Sequence, residues 1–589
     1  MGAEKNVETK PNDNGTNKII CTENISIKIQ KDKMKCPEDK ENKPVDEKKM
    51  ESFKKDDLKT AKKEVTDLES VLCELKIYGL YHLKFMLLIG LLAFGSMWHS
   101  ANYVFAVENV GYRCKYQNCN YTALSKLNLN SSFDFKCHKY KLFDDNGTCD
   151  EDNFDVSNTY DCDEWVYDRP DSFVAEFNLG CEDWKRTLVG TMHSVGYMLG
   201  LFLVGPFSDK FGRKSVVIFT AVSCAIVGLF KSIVNSYWLY IFLETLEPFL
   251  GDCYSATFTL AIETVTKEHR PLIIFVLSMF TTFGGMTLAV IAWLAPNWRI
   301  FLIAIYAPGL LFILYIFWMD ESVRWLLNKG KKVDVDKMIR QAAKTNRIVI
   351  NEMKLSNLMC EENSSNVSLR TLVKVTFSSK KLFLRLLCCI CMWFTALFNA
   401  YSLLINSVSL KGNKYLNYGL TVTTGIPASV VILYLLTKCQ RKRPLIFSFL
   451  LTGTFCIAHS ALPTDYAWLS VLLYISGKLC STVAMRIVYI YTSELFPTYT
   501  RNTMHALCSA LGRVAAIIAP QTPLLMEYWP GLPSLIMGIL SLLTACVVTL
   551  LPDTSDDVLP DNVGQAEAVG KKEKHASVCP KLEKKKNID

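Results

Sequence analysis

Residues 205–214 read GPFSDKFGRK, with three glycine or proline residues, one acid and three bases, set between two long apolar stretches. A chain that leaves a bilayer and re-enters it at once needs such a short polar turn. The flanking runs, 186–207 and 215–235, have the roughly 20-residue length that crosses hydrocarbon as a helix. Working outward, ten further runs predict spans at 84–106, 237–262, 271–292, 298–318, 382–404, 415–437, 443–462, 466–490, 503–526 and 530–551, twelve in all. Apolar residues make up 50% of the 589-residue chain, so it reads as an all-α integral membrane protein. The first run follows about eighty polar residues, too far in for a cleaved secretory signal, and is read as a retained signal anchor.

Charge orients the spans, because lysine and arginine gather in cytoplasmic loops. Segment 107–185 holds sixteen acids against eight bases, whereas 319–381 holds thirteen bases against seven acids. The first is therefore expected outside and the second inside, with both termini cytosolic. The formal charge of +8 is a topology signal and implies no nucleic-acid partner. Six of the 21 cysteines fall in the outer segment, Cys114, Cys119, Cys137, Cys149, Cys162 and Cys181. An even number in an oxidising compartment predicts three disulfides, with all fifteen pairings open. Sequons at Asn120, Asn130 and Asn146 share that segment and are expected to carry glycans.

Residues 1–64, with Phe53 as their one aromatic, cannot bury enough apolar area to offset chain entropy and are expected to be a disordered tail, as is 554–589. From Val65 an apolar stripe of Val65, Leu68, Val71, Leu72, Leu75 and Leu80 predicts a helix along the inner surface. The membrane part is written twice. ETVTKEHR places Glu263 and Arg270 after the fourth span, and ELFPTYTR places Glu494 and Arg501 after the tenth, an offset of 231 residues. Arg443 in TKCQRKRP follows Arg213 by 230, and PDTSD at 552 answers DESVRW at 320. These landmarks imply two pseudo-symmetric six-helix halves, 65–318 and 382–553, the first including an outer domain at 107–185, joined by cytoplasmic linker helices in 319–381.

These motifs, with the cysteine-rich loop, CDEWVYD at 162–168, EFNLGC at 176–181 and YTSELFPTYTRN, resemble the organic cation, carnitine and organic anion transporter family of the major facilitator superfamily, and its insect-type members in particular. The resemblance covers about residues 65–553. It implies that Asp209 and Arg213 form part of an inner gate latch, with Glu263, Arg270, Glu494 and Arg501 as counterparts. Since the second-half copy lacks the acid and the glycine, the stronger latch is expected in the first half.

Charges inside spans point to function, because an unpaired charge in hydrocarbon is costly. The fourth span carries Glu244, Glu247 and Asp252 around Pro248, within one arc of the helix. Glu247 and Asp252 are expected to face an aqueous cavity, with Glu244 nearer structural. Across from them stand Lys478 and Arg486 of the tenth span and Arg513 of the eleventh. The family resemblance makes Arg513 the charge-selecting residue and tilts the reading from simple cations to zwitterions. Tyr401 is among several rings that could hold an organic cation by its face. His99 and His193 read as hydrogen-bonded packing residues.

No nucleotide-binding P-loop and no H-E-x-x-H motif occurs, so no cofactor, metal or enzymatic role is expected. The reading is a plasma-membrane carrier of small organic cations or zwitterions, carnitine-like or amino-acid-derived, with the lipid bilayer as its other partner and any coupling ion, sodium or proton, left open. Organic anion transport, a sugar or nutrient porter, and a non-transporting receptor or scaffold are the alternatives.

Overall fold

The computed structural model describes residues 68–75, 77–116, 136–142, 154–251, 253–295, 297–360, 379–438, 440–463, 466–496 and 498–554. The tail 1–64, residues 555–589, Cys119, Cys149, Asp252 and the three sequon asparagines lie outside them. The chain divides into two units, Met1–Gly79 with Lys332–Ser364, and Leu80–Lys331 with Ser365–Asp589.

In the larger unit ten helices among the described residues are long and apolar enough to cross a membrane: Leu80–Ala106, Asp183–Phe211, Arg213–Lys231, Arg270–Leu294, Trp298–Trp318, Lys380–Ser409, Lys414–Leu435, Lys442–Ala461, Ala467–Leu495 and Leu532–Thr549. The fourth and eleventh expected crossings run as consecutive shorter pieces. The fourth is Tyr237–Gly251 followed by Cys253–Thr264, and the eleventh is Thr498–Gly512, Val514–Ile518 and the 3-10 stretch Ala519–Glu527. Prolines lie in both, Pro248 in the one and Pro520 and Pro523 in the other. Each lacks the N–H that would continue an α-helical ladder, and the chain beside it breaks or tightens.

The second span revises the reading of the opening motif. Its helix continues through Gly205 and Pro206 to Phe211, so neither residue makes the turn. The whole reversal falls on Gly212, at φ 104°, before the third span starts at Arg213. Only glycine adopts that backbone at no steric cost. A Cβ there would also stand 2.2 Å from Glu321 Oε2.

At the opposite end of the bundle the cysteine-rich segment forms two short antiparallel pairs. Tyr112–Cys114 pairs with Trp165–Tyr167, and His138–Leu142 with Phe154–Asp161 across an irregularity at Tyr140/Lys141. Disulfides join Cys114 to Cys162 and Cys137 to Cys181. Glu176 in this segment receives Trp298 Nε1 at 2.8 Å and a bidentate clasp from Arg299. Arg299 also donates to the carbonyls of Ser232 and Val234, at 2.5 and 2.8 Å. One guanidinium thus ties the outer segment to the ends of three spans.

In the smaller unit the apolar stripe expected from Val65 onward is seen from Leu68. Leu68, Val71, Leu72 and Leu75 are buried, as are Val335, Ile339, Leu355 and Leu358 of the helices Lys332–Asn346 and Glu352–Cys360. The stripe is therefore packed within this unit. Lys354 Nζ meets Glu74 Oε1 at 2.8 Å, and Asn346 Nδ2 donates to the Leu75 carbonyl at 2.6 Å.

Candidate functional site

At the basic end of the first half, Arg213 reaches Glu263 with two nitrogens, Nε at 3.0 Å from Oε2 and Nη2 at 3.0 Å from Oε1, and Asp209 Oδ1 with Nη1 at 2.7 Å. Ser322 Oγ donates to Glu263 Oε2 at 2.5 Å, and Trp325 Nε1 to the Asp209 carbonyl at 2.9 Å. The second half repeats the plan: Arg441 Nε meets Glu494 Oε1 at 3.3 Å, and Thr554 Oγ1 donates to Glu494 Oε2 at 2.6 Å. Lys214 and Lys442 each donate at 2.8 Å to a late-span carbonyl, of Ile316 and of Thr549. Arg441, not Arg443, is thus the partner of Glu494. Arg270 opens the fifth span with its Nε buried and without a hydrogen-bond partner, and no ion pair among the described residues joins it to Glu263. The Arg501 side chain lies outside the described residues.

The halves meet at the cysteine-rich end and at mid-depth. Lys414, at the start of the eighth span, is salt-bridged to Glu108, which also holds Arg169 at 2.6 Å. Phe105 packs on Tyr415 and Tyr418, with ring centroids 5.7 and 4.8 Å away. Gln521 accepts from Thr187 Oγ1 at 2.9 Å and donates to Thr191 Oγ1 at 2.6 Å. Deeper, the Arg513 guanidinium lies 4.7 Å from the Tyr197 ring centroid, a cation–π contact across the halves. Arg486 Nη2 donates to Ser278 Oγ, which lies 3.4 Å from Ser429 Oγ.

Lys478 is buried and donates to the Ala400 carbonyl at 2.6 Å, beside Tyr401; no ion pair holds it among the described residues. Tyr489 packs 4.3 Å from the fully buried Trp393 ring, yet is 38% exposed. It also lies within electrostatic reach of Arg513, Tyr254 and Tyr401. Side chains of the fourth, seventh, tenth and eleventh spans therefore converge on one region between the halves.

Two acids of the fourth span, Glu244 and Glu247, are placed elsewhere. Glu247, expected to face a cavity, is 1% exposed and turned into the first half. Lys231 Nζ lies 2.7 Å from Glu244 Oε2 and 2.6 Å from Glu247 Oε2, and Cys224 Sγ is 3.2 Å from Glu247 Oε1. His193 Nδ1 is 2.8 Å from Glu244 Oε1. The physical reason is the third-span lysine: a buried ammonium must be paired, and these two carboxylates pair it. Lys231 could have been found from the sequence, since it lies inside the apolar run 215–235, where any charge calls for a partner.

The family described as "Sugar (and other) transporter" matches residues 131–559. The organic cation transporter protein of Drosophila melanogaster is 29% identical over 527 residues, 86% of this chain and 95% of that protein. Solute carrier family 22 member 21 of Mus musculus is 30% identical over 432 residues, 71% of this chain and 76% of that protein. Solute carrier family 22 member 1 of Oryctolagus cuniculus is 29% identical over 416 residues, 70% and 74% of the two chains. Among solved structures, the inward-open xylose transporter XylE from E. coli superposes with a TM-score of 0.54 at 15% identity, covering 83% of this chain and 99% of its own. The chain belongs to the sugar-and-other-transporter family of the major facilitator superfamily, among the solute carrier family 22 proteins, and is a multi-pass membrane transporter rather than an enzyme.

Proposed function

We propose that this carrier moves small organic ions bearing a carboxylate, zwitterions of the carnitine or amino-acid-derived kind foremost, across the plasma membrane, with both termini cytosolic. Its twelve spans rock as two halves about the region lined by Arg513, Arg486, Lys478, Tyr401, Tyr197 and Tyr489. The observation that carries this reading is a charge imbalance. Lys478 and Arg486 have only neutral hydrogen-bond partners among the described residues. Of the fourth-span acids, the two among the described residues, Glu244 and Glu247, are closed on Lys231. A desolvated cation facing neutral groups is a binding site for a carboxylate. A ligand ammonium is left to the aromatic faces, Tyr401 and Tyr489 among them.

The second reading, a carrier of simple cations, is favoured by the printed names of the relatives. An uptake panel of tetraethylammonium, L-carnitine and para-aminohippurate, with and without sodium, separates the two. Arg513→Asp is expected to cut uptake of the carboxylate-bearing compounds by about tenfold or more, the loss of one charge-assisted contact, and to spare tetraethylammonium. Equal loss of all three would overturn the assignment. Uptake of none, from protein present at the surface, would favour a receptor or scaffold.

A further inference from the structure

The cluster around Lys231 holds one ammonium and two carboxylates in a site sealed from water: Lys231 and Glu244 are 0% exposed and Glu247 is 1%. Its fixed charges sum to minus one, and a net charge buried in a membrane bundle is expensive. One neighbour can cancel it. His193, second span, is the titratable group 2.8 Å from Glu244. Because a carboxylate only accepts, the imidazole presents Nδ1–H to Glu244, and an incoming proton adds at Nε2. The imidazolium so formed brings the cluster to zero, with no other bond made or broken.

The groups facing this centre come from five spans. They are His99, Asn102 and Tyr103 of the first span, His193 of the second, Cys224 and Lys231 of the third, Tyr240, Glu244 and Glu247 of the fourth, and Tyr306 of the sixth. Tyr306 accepts from Lys231 at 3.1 Å and from Asn102 at 2.9 Å, and stacks on His99 at 4.9 Å. His99 Nδ1 is itself buried without a hydrogen-bond partner among the described residues. His193, Glu244 and Glu247 have their ligand atoms within 4.8 Å of one another, a spacing that could suit a metal ion. Lys231 Nζ already stands between the two carboxylates, so the cation of this site is part of the chain.

The other half comes within one helical turn of His193. Its ring is 5.3 Å from that of Tyr103, and at Gly190, one turn away, an added Cβ would stand 2.9 Å from both the Tyr103 ring and Pro520 Cβ. Parting the halves at the cysteine-rich end lifts Pro520 and opens the way to His193. The geometry points to a proton-binding site formed by His193, Glu244, Glu247 and Lys231, loaded from the outer side and trapped when that side closes. It rests on the two-half rocking proposed above. The sign follows from the charge count: sealing costs less with the proton aboard, so external acid favours closure of the outer side and accelerates uptake.

The test uses the full-length protein in proteoliposomes on a solid-supported membrane, stepped between about pH 8 and about pH 5.5, the range a histidine spans, with no organic substrate present. Wild type is expected to give a transient charge displacement. His193→Gln, which keeps a donor but cannot take the proton, should lose about four-fifths of it or more. Glu244→Gln should lose it too, because the cluster is then neutral without a proton. A transient of wild-type size in either variant, or none in wild type, overturns the site; the wild-type arm decides even where a variant fails to fold. In the uptake arm, whichever panel compound is carried should enter at least about threefold faster at the lower external pH in wild type and within about 1.5-fold in His193→Gln. A pH effect that follows internal pH instead would also overturn the proposal. Failure of the substrate panel leaves the charge-displacement result standing, so the two readings fail separately.

Discussion

Gly228 faces the Tyr306 ring so closely that an added Cβ would lie 2.2 Å from its Cδ1. The ring cannot retreat cheaply, because its hydroxyl accepts from both Lys231 and Asn102 and its face carries His99. Gly228→Ala therefore strains the buried ion cluster without altering any charge. Overpacking of this kind costs about 1–3 kcal/mol, and the variant should melt several degrees lower in detergent, measured by thermal unfolding of the purified protein. At this scale the sequence was most opaque. Glu247 was visible as a charge in a span, but its direction was not, since helical position alone does not say which neighbour offers an ammonium. Lys231, His193 and Glu244 lie on three different spans, and only the packing brings them within hydrogen-bond distance. The cysteine pairing was equally out of reach, because six thiols in one loop carry no pairing information in their spacing.

At the scale of elements much more was legible, because repeats and turn chemistry are local. Glu263 and Glu494 were found from their offset, and the structure gives each an arginine and a hydroxyl. The partner Arg441 was missed in favour of Arg443 because the second-half connection, between Lys438 and Lys442, is longer than the single Gly212 of the first half, and an offset of 230 lands two residues past it. Within the first-half latch the two acids are not equivalent. The Asp209 side chain is 74% exposed, that of Glu263 only 18%, and Glu263 takes Arg213 with both oxygens as well as Ser322. Exposed pairs are worth little, whereas a partly buried bidentate pair left unpaired is costly. Glu263→Gln should therefore reduce transport several-fold more than Asp209→Asn, with Glu494→Gln between them; uptake normalised to surface protein checks the order, and an Asp209-dominated loss would contradict it. A second prediction concerns the Glu176 clasp. Burial alone would raise the pKa of Glu176, but hydrogen bonds from Arg299 and Trp298 and the Arg299 charge outweigh it and hold the carboxylate below its usual range. A lowered folded-state value means stability that is present above the ordinary carboxylate pKa and is lost as pH falls through the lowered one. Thermal melts at about pH 7 and about pH 4 should show a larger acid loss for wild type than for Glu176→Gln.

For the whole molecule, the question is what keeps the cysteine-rich end shut. Glu108 serves both sides of the seam: Arg169 binds it from the outer segment of its own half, and Lys414 binds it from the other half. Arg169 therefore positions the carboxylate and Lys414 closes across it. The two bases should consequently behave differently when removed. Lys414→Gln deletes a cross-half ion pair that is partly shielded from water, an effect of about 1 kcal/mol, or about a fivefold shift toward opening. Arg169→Gln leaves the crossing pair in place and should shift the balance less. The measurement is the rate at which an impermeant thiol reagent labels Thr187→Cys, whose native hydroxyl lies against Gln521 of the opposite half. Labelling should accelerate in the Lys414 variant and only weakly in the Arg169 variant. Because the proton site proposed above lies beneath the same seam, external acid should slow this labelling in a background that retains His193, and Lys414→Gln should not abolish that slowing. Equal labelling in both variants would mean that Glu108 and its partners fold the outer segment and take no part in closing the halves.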